Sequence, residues 1–476
     1  MTVKFLDNQT LAMLKLLEHR GKNYNFAEEK KSIAMKISLI AILTLTAVSA
    51  HAQDSWTMQQ CMQYAVDHNH EVKRTELELD NYKASKTGAI GRFLPSVDAS
   101  IGAQYNFGRA IDPETNGYTD VSTFYNGYSL YASLPVFDGF SRIHALKAAG
   151  ASTLMGRASL RQKQDQTALN VLQAYTNVAY YEGLVKMADE KVQETELLLK
   201  QIRLLEEVGR KSAADVAQVE SQKAEADYEL TRQQNLYASA MLELKKTMAF
   251  PMQDTLLLSV RNVRTLSPSG TNSESATYGL GLVQELNPEL QAAQYQVQAS
   301  KHEWHQARAA FYPSLSLSAG LNTTYYHTLH SDVGESFSNQ FNNNMGEYVG
   351  ATLSIPLFNR LQTITSIRKA KNNYRIAQET YKQKQLELEK LSREAWQDWQ
   401  GYLKQTVQMV EKVEADSIAY QLTKRQFEEG LSTAIDLRTT SAQLLNSKAT
   451  LLQCQLMAIV KEQLVRYYRG EAIWTE

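Results

Sequence analysis

Apolar and polar positions change their period several times along this chain, and each change predicts a new element. In two long tracts, 136–250 and 357–476, apolar residues recur at steps of three and four, as in Trp396, Trp399, Leu403, Val407, Val410 and Val413. That spacing places them on one helix face in a coiled-coil-like seam. All eight prolines fall outside both tracts, so nothing interrupts helix propagation there. Gly209 and Gly430 divide the tracts, each followed within a few residues by Ser or Thr. A left-handed stop followed by a capped restart predicts a helical hairpin. The hairpins run 142–207 with 212–248 and 361–427 with 433–469, and shorter helices are expected over 56–91 and 278–310. At 1.5 Å per residue the long arms reach roughly 100 Å, and each shorter helix about half that. Two short helices stacked end to end would match one long arm, giving a uniform antiparallel wall.

Four windows, 94–108, 126–137, 313–329 and 348–358, alternate with period two instead. Val97, Ala99, Ile101, Ala103 and Tyr105 face one way in the first window, with Ser96, Asp98, Ser100 and Gly102 opposite. Each window has 11 or more residues, enough for a tilted strand to cross a bilayer. The chain is 21% charged, yet the only charge in these windows is Asp98, on the polar face. The connections 109–125 and 328–347 are long and polar, with Tyr105, Tyr128, Tyr325 and Tyr348 beside them as interfacial aromatics. A soluble sheet packed on the helices and edge hairpins of a fibrous coiled coil are the competing readings. Four strands cannot close a barrel, and an open edge in lipid leaves backbone groups unsatisfied. Pooling strands from three copies gives twelve, so a homotrimer in membrane lipid is expected.

The chain also repeats itself. Phe93-Leu94-Pro95-Ser96 returns as Phe311-Tyr312-Pro313-Ser314, and Ser133-Leu134-Pro135-Val136-Phe137 as Ser354-Ile355-Pro356-Leu357-Phe358. Val208-Gly209 before Ser212-Ala213-Ala214-Asp215 returns as Glu429-Gly430 before Thr433-Ala434-Ile435-Asp436. Asn69 matches Asn287. Repeat 1 is taken as 53–250, a linker as 251–277 and repeat 2 as 278–476. The expected fold is a twelve-stranded trimeric β-barrel, four strands per protomer, continued by a long antiparallel α-helical barrel.

Composition narrows the function. A formal net charge of −1 removes the cationic surplus that nucleic acid needs. Cys61 and Cys454 have neither CxxC spacing nor a His or acidic cluster beside them, so no metal or redox cofactor is expected, and a disulfide between them is disfavoured. His302-Glu303-Trp304-His305 lacks the HExxH spacing, and no phosphate loop, nucleophile elbow or dinucleotide fingerprint occurs, so an enzyme is not expected. Met35-Lys36, the apolar run Ile37 to Ser49 and Ala50-His51-Ala52 form a signal peptide over 35–52. Cleavage is expected after Ala52, with 1–34 an upstream extension.

Together, Cys61 to Asn69, the FxPS strand entries, the SxPxF exits and the two Gly turns resemble the outer-membrane efflux protein family of TolC-like channels. The resemblance covers about residues 54–470. It implies a passive exit duct of a tripartite efflux or type I secretion system in the outer membrane. A periplasmic adaptor and an inner-membrane pump would meet it at the helical tips, Val208, Gly209 and Arg210 in one half and Gly430, Leu431 and Ser432 in the other. It implies an acidic aperture ring at Asp436, the next ring position being Thr439. It implies a closed-state latch on Asp215, but Ser432 and Phe427 stand where the family pattern has Arg and Tyr. For Asp436 a cation-binding ring and a helix-capping acid are both open; for Asp215 the cap is preferred. A structural or adhesive coiled-coil surface protein is the alternative function.

Overall fold

The computed structural model describes residues 55–111, 117–120, 122–259, 287–329, 335–471 and 473–474. The expected extension, the signal peptide and most of the linker lie outside the described residues. From Thr57 onward the elements are α1 (Met58–His68), α2 (His70–Gly91), β1 (Ser96–Asn106), β2 (Arg109–Ile111), β3 (Tyr118–Asp120) and β4 (Thr123–Phe137), then α3 (Ser141–Glu207) and α4 (Ala213–Met248). The second half has α5 (Pro288–Ala309), β5 (Ser314–Thr328), α6 (Phe337–Asn343), β6 (Gly346–Ser354), α7 (Gln362–Glu428) and α8 (Ala434–Tyr468).

The long arms α3 and α7 have 67 residues each, so both span about 100 Å. The single helix expected over 56–91 is two, because Asn69 adopts extended backbone and serves both as the end of α1 and as the cap of α2. Its Oδ1 accepts from Glu71 N at 2.8 Å, and its Nδ2 donates to Thr247 O at 2.9 Å. Asparagine's short amide competes with the helical backbone in this way. The second bond joins the end of α4 to the α1–α2 break, so the two short elements stack end to end beside α3. Asn287 repeats the device, capping α5 through Glu289 N at 3.0 Å and Leu290 N at 3.3 Å, with Pro288 in the first turn. Residues 278–286, expected to begin that helix, lie outside the described residues. In the wall, α5 packs between α3 and α7, and α8 packs on α7 and α3.

Four strands form one antiparallel sheet in the order β1-β4-β5-β6, so the central β4–β5 pair joins the two repeats. β1 and β6 pair on one side only. The registers gather Ser, Gly, Asn, Thr and Tyr on one face and Val, Ile, Leu and Ala on the other. Ser100 and Ser129 hydroxyls meet across the polar face at 2.8 Å. β6 departs from its expected window at both ends: it stops at Ser354, before Pro356, which cannot donate to a ladder, and starts at Gly346. The earlier start adds Glu347, on the apolar face at the strand's loop end, where water is in reach.

The 328–347 connection is not wholly irregular, since it carries α6. β5 runs beyond the first residue of β6, and a glutamine completes it there. Gln340 accepts from Tyr326 N and donates to Tyr326 O, both at 3.0 Å, mimicking a strand neighbour. Phe337 and Phe341 of α6 meet Tyr128 edge-on.

At each strand-to-arm corner two successive residues are left-handed: Gly139 and Phe140 in the first half, Arg360 and Leu361 in the second. Asp138 and Asn359 compensate by accepting from the amides of Arg142 (3.1 Å) and Thr363 (3.4 Å), four residues on. A methyl group at Gly139 would lie 2.7 Å from the Ala309 carbonyl oxygen, so strain and collision coincide. Gly139→Ala is expected to cost at least about 1–2 kcal/mol from the backbone alone. Thermal unfolding of the detergent-solubilised protein tests this; an unchanged midpoint would contradict it.

Candidate functional site at the hairpin tips

Both tips are built by local backbone chemistry. Gly209 (φ +74°) and Gly430 (φ +82°) hold the left-handed conformation that stops α3 and α7. Arg210 N reaches Leu205 O and Gly209 N reaches Glu206 O, both at 2.8 Å; Leu431 N reaches Gln426 O at 2.7 Å and Gly430 N reaches Phe427 O at 3.1 Å. This is the Schellman pattern, and nothing crowds either glycine, so φ alone demands it. The chain end thus projects Val208 (68% exposed) and Leu431 (76% exposed) into solvent, with Arg210 beside Val208.

Each restart carries a capping box. Ser212 Oγ accepts from Asp215 N at 3.2 Å, while Asp215 Oδ2 accepts from Ser212 N at 3.0 Å. In the second half Asp436 Oδ2 accepts from Thr433 N (3.1 Å), Thr433 Oγ1 (2.6 Å) and Ser432 Oγ (3.3 Å). The backbone and then the hydroxyl of Ser212 hold the Asp215 carboxyl below its ordinary value. The Thr433 hydroxyl, then its backbone amide, does the same for Asp436. Both acids are therefore helix caps. Asp436 is exposed, and Thr439 lies exposed one turn further along α8.

The residues matched to the latch do not come together with Asp215. Ser432 turns to Asp436, and Phe427 is fully buried among Ile202, Val219 and Leu437, with Lys211 Nζ 4.1 Å above its ring. The hairpins are joined elsewhere, by residues the sequence reading did not select. The Tyr420 hydroxyl on α7 donates to Glu194 on α3, and Lys424 and Lys191 reach the same carboxylate at 3.1 and 3.3 Å. Burial pushes Glu194 up, but the Tyr420 hydroxyl and the two lysines outweigh it and leave the acid below its ordinary value. Between α4 and α8, Gln222 Nε2 donates to Ala434 O at 3.3 Å and Arg438 meets Glu225 at 3.5 Å. The available signal was Tyr420 itself, a tyrosine two turns before Phe427 on the same seam.

Cys61 and Cys454 are free thiols buried in α1 and α8. His302 and His305 stack with His144 of α3, at 5.8 and 5.1 Å between ring centroids. Among the described residues no cluster of acidic, His or Cys side chains is arranged to hold a metal, and no helix is long and apolar enough to cross a membrane.

A duplicated chain of amphipathic strand pairs and 100 Å hairpins is the architecture of an outer-membrane channel subunit. The match is explicit: the chain belongs to the outer membrane efflux protein family, which it fits over residues 61–249 and 279–466. It resembles the probable efflux pump outer membrane protein TtgC of Pseudomonas putida, 23% identical over 88% of this chain and 85% of that protein. The alkaline protease secretion protein AprF of Pseudomonas aeruginosa is 26% identical over 59% of this chain and 57% of its own. The solved structure of the outer membrane protein VceC from Vibrio cholerae shares the fold at a TM-score of 0.73, with 14% identity over 87% of this chain and 96% of that one. The protein is thus an outer-membrane efflux conduit and not an enzyme.

The capping boxes have a pH signature. Both acids have folded-state values below the ordinary 3.8 of aspartate, so their contribution is complete above that value and is lost as pH falls through the lower one. Amide exchange at 212–216 and 433–437, corrected for intrinsic rates, is expected to stay flat from pH 7 to about 4.5 and to rise only in stronger acid. A step above pH 5 in the wild type, or the same acid step in Asp215→Asn/Asp436→Asn, would contradict this assignment.

Proposed function

We propose that three copies of this chain close one duct, a twelve-strand barrel in the outer membrane continued by a helical tunnel. The observation that carries this reading is the pair of single-sided strands. β1 and β6 each end the sheet with an unpaired ladder edge, and lipid offers nothing to satisfy it. A neighbouring copy pairing its β6 with β1 meets that demand, and repetition closes the ring. The relatives are named for efflux pumps and for protease secretion, which supports a tripartite assembly with a periplasmic adaptor and an inner-membrane pump as partners.

In this reading the adaptor docks on the tips through Val208, Gly209, Arg210, Gly430, Leu431 and Ser432, where exposed apolar groups sit on rigid turns. Asp436 and Thr439 ring the periplasmic aperture, with one Asp436 oxygen capping α8 and the carboxylate still exposed to the pore. Opening swings the α7–α8 hairpin outward. The element that must give way is the Glu194 junction with Tyr420 and Lys424, which replaces a latch on Asp215.

Single-channel recording in planar bilayers tests the proposal. The purified protein, with the mass of a trimer, is expected to give stable, mostly closed steps. Tyr420→Phe with Lys424→Met should raise the open fraction severalfold. Asp436→Asn should weaken block by lanthanum added at the tip side. A monomer that gives no steps would overturn the duct, and unchanged gating in the Tyr420/Lys424 variant would overturn the junction's role.

A further inference from the structure

We infer that the polar face of the sheet carries a recognition band for weakly hydrated organic cations, built from Asp98, Tyr131 and Tyr348. This rests on the proposed duct, in which that face lines the pore. The registers place Asp98 opposite Tyr131, Tyr131 opposite Gly320 and Gly320 opposite Tyr348, so one row crosses all four strands. The rest of that face in β1, β4, β5 and β6 is Ser, Thr, Gly, Asn, Gln, Tyr and a few apolar residues, and Asp98 is its only formal charge. Gly320 is what lets the row close up. A Cβ there would meet Tyr348 Cε1, Cζ and Oη at 2.5–2.7 Å. The outer end of the Tyr348 ring therefore lies over the glycine, close to the sheet, with its other face turned to the lumen. Tyr131 flanks Gly320 from the other side, and both rings are 40–48% exposed.

A carboxylate opposite one exposed tyrosine, with a second exposed tyrosine two strands further along the same row, suits one ligand class. An alkylammonium or aryl cation sheds water cheaply and gains from the ring quadrupoles as well as from the charge. A small divalent ion keeps its water and gains from the charge alone. Threefold repetition would set three carboxylates and six rings around the lumen. The sheet supplies its own control. A second row, Gln104, Tyr125 and Tyr326, lies six residues further along β1 and has a neutral amide where the first row has its acid.

The test is current block by tetrabutylammonium added from the barrel side to trimers in planar bilayers. An Asp436→Asn background silences the tip ring. Asp98→Asn is expected to weaken block about tenfold and to move the reversal potential in a KCl gradient toward zero. Tyr131→Leu and Tyr348→Leu should each weaken it about two- to fivefold, with Tyr→Phe restoring it and magnesium block unchanged. Tyr125→Leu should have no effect. Unaltered block in Asp98→Asn, or equal losses in Tyr125→Leu and Tyr348→Leu, would overturn the band while leaving the duct intact. Absence of steps in every preparation, the parent included, would instead strike at the duct itself.

Discussion

The rest of the structure hangs on the backbone hydrogen bonds at the two sheet edges. Inside a bilayer each unpaired amide or carbonyl costs several kcal/mol, and β1 and β6 each expose a row of them. No rearrangement within one chain cures this, because a four-stranded sheet keeps two unpaired edges in any order. In the proposed trimer the remedy comes from identical neighbours, and that single demand organises the helices too. In that assembly the four-stranded sheets of successive copies would follow one another around the ring, with each copy's hairpins beneath its own sheet. The long arms follow one corner after each strand pair, so the proposed threefold closure would be passed down into the wall.

Duplication explains how one solution serves twice and where it was relaxed. Both corners need two consecutive left-handed residues and a side chain that caps four residues ahead. The first half uses Gly139 with Asp138, which suits a site pressed on the Ala309 carbonyl. The second uses Arg360 with Asn359 and tolerates a side chain there. The geometry was retained while the residue best suited to it was retained only where collision enforces it. Asn69 and Asn287 show the same logic in the helical wall: each caps the short helix that follows it, and Asn69 also ends α1.

Features decided within a few residues were readable from the sequence, and features decided across the fold were not. The tip turns could be found because a left-handed stop needs Gly209 or Gly430 and a restart needs Ser212 or Thr433, all inside one turn of helix. The strand faces could be found because alternation leaves no choice of face. By contrast the Tyr420–Glu194 contact spans 226 positions, and no local pattern announces which acid a tyrosine will meet. The family pattern suggested looking at Phe427 and Ser432, yet here one is core and the other a cap partner. The helix break at Asn69 had a local cue, an asparagine two residues before a glutamate, but the run of helix formers around it masked the stop. α6 was hidden for a different reason: its role is to finish β5 with Gln340, and the need for that arises only once β5 is seen to outrun β6 beyond Asn322.

The cap geometry also bears on how a gate can move. An acid three residues after a Ser or Thr is required at both tips whatever the pore does, so its presence at 436 is not by itself a sign of an aperture. Both caps load one carboxylate oxygen; what distinguishes the second tip is that Asp436 is exposed where Asp215 is half-buried, with Thr439 on the same open face of α8. Every bond of that cap lies within residues 432–436, so a swinging hairpin carries its cap intact and its tip stays rigid. The bonds that connect hairpins are of another kind: Tyr420 and Lys424 meet on Glu194, a half-buried acid, and Gln222 and Glu225 of α4 reach Ala434 and Arg438 of α8. In the proposed gate, motion would fall on the junction between hairpins, where a few charge-assisted contacts could be exchanged for partner contacts. Stiff tips and a separable seam are together what a docking partner needs in order to pull a wall open without melting it.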